Sequence, residues 1–140
     1  MTNLIEKALL LGFGIFLLSI LTSLLIPLFG EVNEFNKNAK RDLEFNIAFI
    51  DEIDQAILYV INNPEDIILK NVEYPRNFNI TFLDSFIIFD FLIENNVINK
   101  ILMYNTSFYN CKFQDFPPQT YLLNIKSQYS YIVINFSEII

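Results

Sequence analysis

The hydrophobic pattern of the chain changes period twice. From Ala8 to Phe29 (ALLLGFGIFLLSILTSLLIPLF) no residue carries a charge. At about 1.5 Å rise per residue this run reaches about 33 Å, enough to cross a hydrocarbon core of about 30 Å. Its polar side chains are Ser19, Thr22 and Ser23, whose hydroxyls can bond back to helix carbonyls. A cleaved signal peptide has a shorter apolar core, about 7–15 residues, behind a basic start. Here the core is longer and the start holds Glu6 beside Lys7. The expectation is a transmembrane anchor over residues 1–30. Gly12 and Gly14 are two apart and make no Gly-x-x-x-Gly face, so the helix is read as facing lipid. Pro27 lacks an N–H and Gly30 follows it, which predicts a kink or break at the membrane surface.

From Glu31 the chain is polar with helical apolar spacing. Val32, Phe35 and Ala39 lead into Leu43, Ile47, Ile50, Ile57 and Ile61, in steps of three, four and seven. Such steps form one stripe of a helix. Asn62-Asn63-Pro64 stops it, because Pro64 disfavours a helical residue before it. Residues 31–63 are therefore expected to form a stalk and an amphipathic helix, docking through its second half.

Beyond Pro64 the period falls to two. Ile67 to Tyr74, Phe78 to Leu83, Phe86 to Ile93, Val97 to Tyr104, Tyr121 to Lys126 and Tyr131 to Phe136 read as strands rich in Ile, Phe, Tyr and Val. Phe78, Ile80 and Phe82 alternate with Asn79 and Thr81, and Ile132, Ile134 and Phe136 with Val133 and Asn135. All three glycines precede residue 31, so turns needing positive φ fall to Asn. Asn95-Asn96 is the expected tight hairpin, and Ser127-Gln128 the turn of the last one. The fold class is α+β. A transmembrane helix continues into an amphipathic helix, then a small antiparallel β-sheet or β-sandwich over residues 64–140.

Composition narrows the function. Apolar residues make up 53% and charged residues 18%, with a net charge of −7. That balance argues against nucleic acid as a partner, since phosphate binding wants clustered cations. There is no histidine, which removes Ser-His-Asp triads, Cys-His dyads and most catalytic zinc sites. One cysteine, Cys111, allows no intrachain disulfide and has no imidazole partner to make it a nucleophile. Asp51, Glu52 and Asp54, with Glu65-Asp66 after them, lack the spacing of a calcium loop and read as a solvated face. Tyr121, Tyr129 and Tyr131 suit either a sugar-stacking platform or half-buried sheet packing, and packing is the commoner outcome. No phosphate loop or metal-spaced set occurs. The chain is expected to be no enzyme and to have no catalytic residue, cofactor or metal.

Three Asn-x-Ser/Thr sequons occur, at Asn79, Asn105 and Asn135. These are candidate glycosylation sites if the domain lies outside the cytoplasm. Lys and Arg near the run number one before it (Lys7) and three after it (Lys37, Lys40, Arg41), a slight lean toward a cytoplasmic domain. The sequons and the acidity point the other way.

The layout is similar to that of the archaeal type IV pilin-like surface proteins, in which a hydrophobic helix runs into an amphipathic half and a compact β domain. Tyr74-Pro75-Arg76-Asn77-Phe78-Asn79-Ile80-Thr81 resembles their Pro-x-Asn-apolar-polar-Ile strand entry, and Tyr121 to Phe136 resembles their closing hairpin. High Ile, Asn, Phe and Lys is similar to proteins of A/T-rich archaeal genomes. A prepilin has a basic leader before the hydrophobic run, which this sequence does not show, so the resemblance implies an anchored, pilin-like surface domain and leaves polymerisation open. The expected role is a single-pass, extracytoplasmic domain with a structural, adhesive or appendage-accessory function. Its partners are the lipid bilayer and proteins of a membrane or surface assembly. The alternatives are a small accessory subunit of a larger membrane complex and a membrane-tethered ligand-binding module.

Overall fold

A computed structural model describes residues 2–139. It has one helix, α1 (Thr2–Asn62), followed by eight strands. The chain divides into two compact units between Lys40 and Arg41.

In the first unit the helix is long and apolar enough to cross a membrane, and none of its most apolar stretch is buried inside the molecule. Thr22 Oγ1 donates to the Leu18 carbonyl at 2.9 Å and Ser23 Oγ to the Ile20 carbonyl at 2.8 Å, so both hydroxyls are satisfied within the helix. The expected break at Pro27 and Gly30 does not form, and helix runs through both residues. Pro27 removes a single N–H from the ladder, and the Leu- and Ile-rich turn before it favours helix enough to carry the local cost. Gly30 has no positive φ that would force a cap there.

In the second unit the helix ends at Asn62, just ahead of Pro64. Asn63 donates to the Tyr59 carbonyl through both its backbone N–H and its Nδ2, each at 2.9 Å, which closes the last turn. The strands are β1 (Ile67–Glu73), β2 (Phe78–Leu83), β3 (Phe86–Ile93), β4 (Asn96–Met103), β5 (Ser107–Phe108), β6 (Cys111–Phe113), β7 (Thr120–Gln128) and β8 (Tyr131–Glu138). They form two four-stranded sheets. One has the order β1-β7-β8-β5, with β5 parallel to β8, and the other has the order β4-β3-β2-β6, antiparallel throughout. The short β5 and β6 lie outside the expected strand set, because two or three residues are too few to show a period.

The core forms where the inner faces of both sheets meet the helix. Phe78, Ile80, Phe82, Ile87, Phe89 and Phe91 come from one sheet. Val72, Phe108, Tyr121, Leu123, Ile125, Ile132, Ile134 and Phe136 come from the other. The helix adds Phe49, Ile50, Ile53, Ala56, Ile57 and Val60. At about 1.5–3 kcal/mol per large apolar side chain, these helix residues alone bind the element strongly to the sheets. The observed stripe shares Ile50 and Ile57 with the expected one but is rotated. Ile47 and Ile61 are half-buried at its margin, and Leu43 is 38% exposed. Steps of seven drift about 20° per heptad on a straight helix, which carries Leu43 off the face that Ile57 occupies.

The helix runs antiparallel to β1. Glu52 pairs with Lys70 at 2.6 Å, and the Tyr59 hydroxyl donates to Asp66 Oδ2 at 2.8 Å. On its other flank, Asp51 pairs with Lys100 of β4 at 3.5 Å, and the Tyr104 hydroxyl donates to Asp54 Oδ1 at 2.6 Å. Since β1 and β4 are edge strands, the helix spans from one sheet to the other.

The tight turns are made without glycine. Glu94 (φ 51°) and Asn95 (φ 69°) join β3 to β4, and Tyr129 (φ 49°) and Ser130 (φ 71°) join β7 to β8. Positive φ at both central residues matches the right-handed twist of the flanking strands. Each turn differs in position from the sequence expectation. Asn96 is the first residue of β4, paired with Ile93, and Ser127 and Gln128 remain in β7, paired with Ile132 and Tyr131.

Candidate functional site

The acidic helix segment is divided among separate tasks. Asp51, Glu52 and Asp54 each meet a different partner, on β4, on β1 and beyond β4. Expected as a solvated face, the segment instead ties the helix to both sheets, with Asp54 and Glu52 half-buried. Burial, and then the bond to Asp54, push the Tyr104 phenol well above its ordinary range. Among the described residues, no group of three or more His, Cys, Asp or Glu is placed to hold a metal ion. Cys111 is half-buried in β6, and burial pushes its thiol up to about 11, so it is a weak nucleophile at neutral pH.

The three sequons lie in unlike settings. Asn105 is exposed in the link between β4 and β5, and Asn135 is exposed on the outer face of β8, opposite Asn124. Asn79 is half-buried in β2, and its Oδ1 accepts the Asp115 N–H at 3.3 Å. It also lines a cleft of about 430 Å³, together with Arg76, Asn77, Asp90, Asp115 and Phe116. With the Asn99 amide turned to satisfy both of its groups, its nitrogen donates to Asp90 Oδ1 at 3.2 Å. Register then sets Asn99, Asp90 and Asn79 in one row across the outer face of that sheet. The same face also carries Thr81 and Lys112, with apolar residues along β3 and β4. Leu92, Val97, Ile101 and Met103 are exposed there, so a bare apolar surface remains after the helix stripe is covered.

The tyrosines separate. Tyr121 lies in the core with Leu123 and Ile125, as alternation along β7 requires. Tyr129 is 88% exposed, at the tip of the β7–β8 turn, and Tyr131 is 48% exposed on the outer face of β8. Tyr109, 66% exposed, joins them because its N–H donates to the Ile132 carbonyl at 3.0 Å, which holds the residue beside β8. Tyr109, Gln128, Tyr129, Tyr131 and Val133 line a groove of about 440 Å³ without a charged group. Among the described residues, none of these three phenols has a hydrogen-bond partner and none of the three rings a ring contact. A bulky residue at positive φ costs about 1–2 kcal/mol, so the turn holds the Tyr129 ring outward at some expense in stability. Sequence reasoning omitted Tyr109 because β5 is too short to announce itself, and included Tyr121 because nearness in sequence outweighed alternation.

No protein-family model, curated protein or solved structure matches the chain.

Proposed function

We propose that the chain is a single-pass membrane protein that presents its β-sandwich on the extracytoplasmic side, as a pilin-like structural or adhesive surface domain. The observation that carries this reading is the uncharged run from Ala8 to Phe29, held in one regular helix and unburied. In water such a surface has no stable neighbour, whereas in hydrocarbon every backbone group of a helix is already paired. Exposure of Asn105 and Asn135 and the acidic composition support the outward orientation. The order of apolar helix, amphipathic helix and β domain supports the pilin-like character.

A second reading, an accessory subunit of a larger membrane complex, is favoured by the apolar outer face at Leu92, Val97, Ile101 and Met103, which a partner subunit would cover. Alkaline extraction of membranes tests the anchor. The full chain stays with the lipid, and a chain lacking residues 1–30 is released. Release of the full chain would refute the anchor.

A further inference from the structure

We propose that the groove formed by Tyr109, Tyr129 and Tyr131 binds a neutral glycan, with pyranose rings laid against the phenol faces. This rests on the reading of an outward-facing adhesive domain and gives it a ligand class. The lining is three exposed tyrosines with Gln128 and Val133. Tyrosine offers broad, rigid contact area with few torsions to freeze, and a hydroxyl at its far end. The C–H faces of a sugar meet the electron-rich ring faces. The sugar hydroxyls meet the Gln128 amide and the phenols, none of which has a protein partner among the described residues.

Two observations select this occupant. The groove carries no charge in a chain of net −7, so a polyanion is repelled overall and a cation finds no carboxylate in the lining. Five lining residues are far fewer than the about 20–30 per side of a stable protein interface, but they match a few sugar rings.

The test uses the full chain in detergent micelles on surfaces bearing mannan, β-glucan and galactan, with sulfated dextran as the anionic counterpart and anionic and zwitterionic vesicles as the lipid arm. At least one neutral polysaccharide is retained. Tyr129→Ala and Tyr131→Ala each weaken it by about tenfold, the effect of losing one ring contact. Tyr129→Phe and Tyr131→Phe retain most of the binding, and Tyr59→Phe, outside the groove, changes nothing. Circular dichroism of each variant confirms that the fold is kept. The proposal is overturned if no neutral polysaccharide is retained, if folded alanine variants bind like the parent, if sulfated dextran is preferred, or if the tyrosines act on vesicles alone. Binding in micelles is indifferent to membrane orientation, so its failure leaves the surface-domain reading to be judged by topology.

Discussion

Replacing Tyr74 isolates the aromatic centre of the fold. Tyr74 is fully buried, and its ring lies 5.3–6.1 Å from those of Phe49, Phe78, Phe116, Tyr121 and Phe136, which come from the helix, both sheets and the link after β6. Its hydroxyl donates to the Phe78 carbonyl at 3.1 Å. Tyr74→Phe keeps the rings and removes that bond, at a net cost of about 0.5–1.5 kcal/mol. Tyr74→Ala also empties the space the ring occupies, which adds about 3–5 kcal/mol. A small domain is stable by about 5–15 kcal/mol, so the alanine variant loses about a quarter or more of the total. At about 4–8 °C per kcal/mol for a domain of this size, Tyr74→Phe melts several degrees lower, and Tyr74→Ala at least 12 °C lower or not cooperatively at all. Thermal and urea unfolding of residues 41–140, followed by circular dichroism, reads both. Equal midpoints for the two variants, or an unchanged midpoint for Tyr74→Ala, would refute the claim that this ring joins helix and sheets.

The remaining predictions concern the helix stripe, the buried phenols and the thiol. Ile53→Ala costs about 2–5 kcal/mol because its side chain is fully buried, whereas Leu43→Ala costs under about 1 kcal/mol; urea midpoints of the two variants check the observed phase of the stripe. Tyr74 and Tyr104 titrate above their ordinary value of 10.0, chiefly because burial disfavours the phenolate. The unfolded chain therefore gives up these protons first. Stability is full below pH about 10 and falls as pH rises beyond it, and Tyr104→Phe flattens that fall in urea titrations across alkaline pH. For Cys111, a shift from the ordinary 9.0 to about 11 lowers the thiolate fraction at pH 8 about hundredfold, so the native thiol reacts with maleimide more than about tenfold more slowly than the unfolded one, part of the loss being offset by the greater nucleophilicity of a more basic thiolate.

The legible parts of the fold were mostly those where a period persisted. The uncharged run and the six longer strands follow from spacing repeated over six residues or more, and the stop before Pro64 from a proline that disfavours helix whatever its neighbours. Other features decided by single residues were less legible. Whether Pro27 breaks a helix depends on its neighbours, and the helix stripe was misphased because heptad steps drift on a straight helix. The glycine-free turns fell one or two residues from their expected places, because Glu94, Tyr129 and Ser130 accept positive φ where Asn was the expected choice. The tyrosine groove was half visible. Alternation along β8 already turned Tyr131 outward with Val133, but only the bond from Tyr109 to Ile132 brings the third ring to the site.

Protease accessibility of the β-sandwich in intact cells tests the central claim most directly. The account predicts that added protease removes residues 31–140 and leaves the apolar segment in the membrane, while inverted vesicles protect the domain. Complete protection in intact cells, with digestion only in inverted vesicles, would place the sandwich in the cytoplasm and contradict the surface-domain reading.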